Sequence, residues 1–214
     1  MKKLLLSIAI VAFSMGSVFA QENSAEKLRW KGIMNNGFWS NWEIGVAGGV
    51  NATAWNEFGG VDNQKQIGDL GWQVEGGLTK WFNPIVGARV QLIGGRLNAS
   101  DDFGRKSNWI MPHADAVLNL SNWFGGYRED RFWDIQPYVG VGWICTWDEP
   151  KNQSVTYAAG IHNSFRLGER FDLYLDVRGG MLADTFEGET GGRNHEGNLS
   201  ATLGLAYNFN KRGW

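Results

Sequence analysis

Three side chains stand at a spacing that could carry hydrolytic chemistry. His162 and Ser164 are separated by one residue, and Asp176 follows after a short Gly168-Glu169-Arg170 turn. If the segments on either side of that turn pair as antiparallel strands centred on Glu169, His162 falls opposite Asp176. A base, a hydroxyl and an orienting carboxylate are the parts of a nucleophilic site. They belong to a larger polar set at alternating positions. Glu43, Glu75, Asp115, Asp172 and Asp176 are matched by Arg89, Arg166 and Arg178, with His113 and His162 among them. Such a set reads in two ways. Charges of both signs can pair and fill a narrow interior, or they can line a polar path with water between them. The first is favoured, because buried charges must be paired.

Other candidate chemistry is thin. No metal-ligand spacing is present, and no cofactor is expected. His195, beside Arg193, Asn194 and Glu196, reads as a solvated loop residue. The pairs Gly48-Gly49, Gly76-Gly77, Gly94-Gly95 and Gly179-Gly180 do not precede helices and are not phosphate loops. They suit strands that bend or crowd. The lone Cys145 excludes an internal disulfide.

The elements that would position these residues are strands. Leu199, Ala201, Leu203, Leu205, Tyr207 and Phe209 alternate with Ser200, Thr202, Gly204, Ala206 and Asn208. That is a period of two carried through a whole segment. Seven similar segments precede it, over 41–54, 70–82, 85–95, 109–120, 132–146, 155–167 and 171–183. Each is near the length of a tilted membrane-crossing strand, roughly 9–11 residues. The links after the first, third, fifth and seventh segments are long or polar. Those after the second and sixth are tight, with Asn83-Pro84 at one of them. Pro112 and Pro137 fall inside predicted strands and should sit at strand ends or bulges.

The first twenty residues read as a leader. Met1-Lys2-Lys3 precedes an apolar run, and Val18-Phe19-Ala20 has the form of a cleavage site. Losing Lys2 and Lys3 takes the formal charge from −2 to −4, which argues against a nucleic-acid partner. Past the leader no apolar run is long enough for a spanning helix, so a membrane reading must be a β one. The chain holds 12 Trp, and Trp settles at membrane interfaces. The expected organisation is a leader over 1–20, a periplasmic lead-in over 21–40, a barrel over 41–209 and a tail over 210–214. The fold class is all-β, an eight-stranded antiparallel up-and-down transmembrane barrel.

The leader, the eight segments and the last strand together resemble the OmpA/OmpX-like eight-stranded outer-membrane barrels. Thr202-x-Gly204-x-x-Tyr207-x-Phe209 is similar to the signal by which the barrel assembly machinery recognises its clients. The stretches Asn163–Leu167 and Pro137–Gly142 resemble those of proteins in this group. The resemblance implies the outer membrane as location, with its lipid and lipopolysaccharide, and the assembly machinery, as partners. Full-length OmpA relatives add a peptidoglycan-binding domain; here the resemblance covers the barrel alone. The function it implies is non-enzymatic. It combines envelope integrity with surface contact or adhesion, to a host or cell-surface ligand, through 55–67, 95–108, 147–154 and 184–198. Two alternatives stay open. One is a narrow ion or small-solute pore. The other is a lipid A-modifying hydrolase, since outer-membrane lipid A deacylases carry a His-x-Ser with a carboxylate on the next strand. Their site faces lipid, whereas the alternation here points His162, Ser164 and Asp176 inward.

Overall fold

A computed structural model of the chain describes residues 38–54, 70–98, 106–148, 151, 153–183 and 195–210. The expected leader, most of the lead-in and of the tail, and much of the four long connections lie outside the described residues.

Eight strands form: β1 (Trp42–Ala54), β2 (Gly71–Trp81), β3 (Val86–Asn98), β4 (Lys106–Leu118), β5 (Trp133–Thr146), β6 (Gln153–Arg166), β7 (Phe171–Ala183) and β8 (His195–Asn208). Each pairs antiparallel with the next, and β8 pairs back onto β1 from Glu43↔Asn208 to Ala54↔Gly197. The sheet is therefore a closed barrel with no free edge. His195 begins β8 opposite Ala183 instead of lying in a loop. β3 and β4 also run further than their alternation predicted, out to Asn98 and from Lys106.

Side-chain alternation decides which face is which. Val46 is 61% exposed and Leu203 56%, whereas Glu75 is 6% exposed and Asp176 2%. The apolar face looks outward and the charged face inward, the reverse of a water-soluble barrel. Stepping between paired residues shows how the wall is staggered. The path Trp42, Lys80, Ala88, Ala116, Val139, Ala159, Gly179, Leu199 returns to β1 at Ala52, ten residues beyond its start. A closed sheet with such a stagger must tilt its strands, by about 35–45° in barrels generally.

The two prolines resolve differently. Pro137 stands one residue past Val117↔Tyr138, where β4–β5 pairing ends. Pro112 is mid-strand. The β4–β5 ladder lapses at Met111 and Pro112, between Ile110↔Cys145 and His113↔Gly142, with no change of register. A bulge is not needed, because Pro lacks only the donor, and Pro112 still pairs with Leu92 on the other side.

The link after β4, read from sequence as a glycine-containing connection, contains a short helix, α1 (Leu120–Gly125). Asn119 caps it, its side chain accepting from the Asn122 amide at 2.9 Å. Gly126 ends it at φ 72°, a conformation that favours glycine. The Asn122 side chain donates through Nδ2 to Pro84 O at 2.8 Å, and Arg131 donates to Asn122 Oδ1 at 2.6 Å. The connection is long because it packs as an element between the β2–β3 turn and β5.

Candidate functional site

Inward positions of eight strands converge on the lumen, and at mid-height they carry the charges. Arg89, on β3, is the hub. Its Nε donates to Asp115 Oδ2 at 2.9 Å and its Nη1 to Asp176 Oδ2 at 3.0 Å. Asp115 is on the neighbouring strand, in register with Arg89. Asp176 comes from β7, across the barrel. The guanidinium also lies over the Tyr138 ring, 4.2 Å from its centroid. Tyr138 donates to Asp176 Oδ1 at 2.6 Å and accepts from Arg178 Nε at 3.0 Å. Arg178 donates further to Gln91 Oε1 and lies 3.9 Å from Asp115. Thr202 on β8 donates to Glu75 Oε1 at 3.0 Å. Strands from every side of the barrel thus meet in one charged cluster.

The two histidines attach to the carboxylates of this cluster. His113 Nδ1 stands 2.8 Å from Asp115 Oδ1, an electrostatic contact without hydrogen-bond alignment. His162 is in register with Asp176, and its Nδ1 is 3.1 Å from Asp176 Oδ2. The same nitrogen is 3.2 Å from Arg89 Nη1. A ring nitrogen can accept from the arginine or donate to the carboxylate, one at a time. The ring also lies against Tyr174, 4.5 Å between centroids.

The remaining predicted residues are spread around this centre. Glu43 and Asp172 are buried in the lumen towards the end that carries both described termini, Asp172 accepting from Asn208 at 3.2 Å. Arg166 is half-buried, opposite Asp172 in the register and outside the ion pairs formed among the described residues. Ser164 is buried opposite Tyr174. Among the described residues no hydrogen bond joins it to His162, so the base and hydroxyl are near in sequence without being coupled. In the last strand, Thr202 and Gly204 face the lumen, and Tyr207 accepts from Arg170 at 2.9 Å. Tyr207 also packs on Phe171 and Phe209, at 5.1 and 5.8 Å between centroids.

Two groups of residues escaped the sequence reading. Tyr138, Gln91 and Tyr174 complete the cluster, and each lies on the inward phase of its strand. A large aromatic on an otherwise polar face was the available signal for Tyr138. The second group is apolar and also faces inward. Ile93, Trp109, Met111 and Ile144 pack together towards the long connections, and Trp81 and Val117 pack with Tyr138 towards the tight turns. Apolar clusters thus flank the charged cluster on the β2–β5 side of the lumen, while the inward positions around them stay polar, among them Asn51, Gln73, Asp134 and Gln136. A cavity of about 30 Å³ is left beside Trp109, Met111, Ile144 and Arg178, room for about one water.

Glycines clear the space these side chains occupy. A Cβ on Gly140 would lie 2.1 Å from Asp115 Oδ1 and 2.6 Å from His113 Cε1. One on Gly204 would lie 2.6 Å from Tyr174 Cζ. Several glycines on inward positions are thus sites of close approach and not only of strand bending.

No protein-family model matches the chain. It is 29% identical over 192 residues to outer membrane protein 41 of Porphyromonas gingivalis (strain ATCC BAA-308 / W83), covering 83% of this chain and 48% of that protein. To outer membrane protein 40 of the same organism it is 26% identical over 234 residues, covering 100% of this chain and 59% of that protein. The chain spans about half the length of the curated relatives it matches. Among solved structures it is similar to the N-terminal β-barrel domain of Pseudomonas aeruginosa OprF, with a TM-score of 0.52 and 12% identity over 79% of this chain and 98% of that one. Neisserial surface protein A gives a TM-score of 0.52 at 8% identity, over 79% and 97%. These two likenesses are of fold. With a closed wall of eight antiparallel strands, apolar outside and charged inside, the chain has the fold of an OmpA/OmpX-like eight-stranded outer-membrane β-barrel, and the curated proteins it is similar to are outer-membrane proteins.

Proposed function

We propose that the chain is a closed, non-enzymatic outer-membrane barrel. It supports the integrity of the envelope and presents its four long connections for surface contact. The observation that carries this reading is the Arg89 hub. One buried guanidinium joins Asp115 on the adjacent strand to Asp176 across the lumen, and breaking such a pair leaves uncompensated charge in a space with little water. A conducting path would have to part these groups. In planar bilayers the barrel is expected to pass no steady current. A steady current that vanishes when Arg89 or Glu75 is replaced would establish the pore reading instead.

A structural role for His162 and Asp176 follows from the same geometry. His162 is held by Asp176, Arg89 and the Tyr174 ring, inside the wall and away from lipid. Lipid A from cells making the protein is expected to keep its full set of acyl chains by mass spectrometry. Loss of a chain that disappears in His162→Ala would assign a hydrolase. Contact through the connections is supported by their length and polarity. Lipid, lipopolysaccharide and the barrel assembly machinery remain the partners expected of a barrel in this membrane. The assembly role of Thr202, Gly204, Tyr207 and Phe209 belongs to the same proposal.

A further inference from the structure

The end of the barrel that carries the tight turns and both described termini faces the periplasm in outer-membrane barrels. Around that end the wall is ringed with exposed or half-exposed aromatic side chains. Trp42 begins β1, Phe82 follows β2, Phe132 precedes β5, Phe165 lies near the end of β6, Phe171 begins β7 and Phe209 follows β8. Rings at this level suit the headgroup boundary, where one side is apolar and the other wet. β3 and β4 are the exceptions. β3 begins with Val86, and the last outward residues of β4 are Ala114, Ala116 and Leu118.

The residues that follow β4 are those of α1. Trp123 and Phe124 stack there, 6.1 Å between centroids, and are 55% and 82% exposed. Two adjacent rings this exposed are costly in water. The helix is not free to turn them elsewhere. Asn122 ties it to Pro84, two residues beyond Phe82, and Ser121 Oγ accepts from the Ile135 amide at 2.9 Å, three residues beyond Phe132. Its polar groups are committed to the wall, and its aromatic pair falls between two members of the ring.

We propose that α1 is an interfacial foot. It seats Trp123 and Phe124 among the phospholipid headgroups and upper acyl chains of the periplasmic leaflet, and so closes the aromatic ring where β3 and β4 leave it open. The proposal rests on the outer-membrane reading. The occupant is lipid and not a periplasmic protein, because the helix is tied to the wall at Pro84 and Ile135, close in sequence to Phe82 and Phe132 of the lipid-facing ring.

Site-directed fluorescence tests this. In a Cys145→Ser background, Phe124→Cys or Trp123→Cys is labelled with an environment-sensitive fluorophore in the full chain. The protein is then folded into phosphatidylcholine–phosphatidylethanolamine vesicles. Leu203→Cys, at the middle of the outward face, is the control. Loss of fluorescence with lipids spin-labelled near the headgroup is expected at both α1 positions, with little loss to aqueous iodide. Leu203→Cys should instead respond to lipids labelled deep in the chain. If Leu203→Cys responds and the α1 positions are quenched by iodide alone, the helix faces water and the foot is refuted. If Leu203→Cys is also quenched by iodide alone, the membrane reading itself fails.

Discussion

At the scale of single residues, Arg89 and the glycines around it make the lumen a built interior. Arg89→Ala leaves Asp115 and Asp176 without their shared cation. Removing one partner of a buried pair costs about 3–5 kcal/mol. Urea unfolding in lipid vesicles, followed by the shift in gel mobility between folded and unfolded forms, should show a loss of that size. Combining Arg89→Met with Asp176→Asn removes charge from both sides and should cost less than Arg89→Ala alone; an equal or larger cost would show that shape and not charge dominates. The glycines give a sharper contrast. Gly140→Ala drives a methyl into Asp115 and His113, and overpacking of this kind costs about 1–3 kcal/mol. Gly76, on the outward face, has no atom within 4 Å of an added Cβ. Gly76→Ala should shift the same midpoint by less than about 1 kcal/mol, in the stabilising direction if at all.

Among the elements, β8 carries the heaviest duty, because its pairing with β1 closes the wall. Its final residues do two things at once. Tyr207 and Phe209 form a packed aromatic group with Phe171, and they stand where an assembly signal is expected. The two roles separate by kinetics. Phe209→Ala should slow insertion by the assembly machinery more than it lowers the stability of barrels already in the membrane. Measuring insertion into proteoliposomes beside urea midpoints tests this, and equal losses would leave packing as the whole role. β4 and β5 show a different economy. Their ladder gives up hydrogen bonding at Met111 and Pro112 and keeps its register, so a proline that would be expelled from a shorter sheet is held by pairing on its other side.

For the whole molecule, the reversed face pattern decides the solvent. Large apolar side chains are exposed all round the wall, among them Val46, Val74, Leu92, Val141 and Leu205. A surface of this kind is stable only against lipid or detergent. Purified protein should therefore precipitate or aggregate when detergent is removed without added lipid. A monodisperse, detergent-free monomer in analytical ultracentrifugation would overturn the membrane assignment. The interior, in turn, has no continuous apolar core. It is a largely polar and charged filling with two apolar clusters set into its β2–β5 side, and what it holds in place is the shape of the wall around it.

Much of this was legible in the sequence. The number and phase of the strands follow from alternation with a period of two, and the hairpin pairing of His162 with Asp176 follows from a short turn. Both are local properties, set within a few residues. The charged residues were recognisable as inward for the same reason. What local pattern does not contain is the partner across the lumen. Arg89 and Asp176 are 87 residues apart, and they meet because eight successive registers add to a stagger of ten residues when the wall closes. Tyr138, reaching from β5 to Asp176 and Arg178 on β7, depends on the same accumulated geometry, whereas the helix and the apolar clusters rest on contacts between neighbouring elements. The sequence by itself determined the strands and their faces, because these are repeated local choices. Tertiary structure alone decided which charges neutralise one another, because that depends on the accumulated geometry of the whole ring.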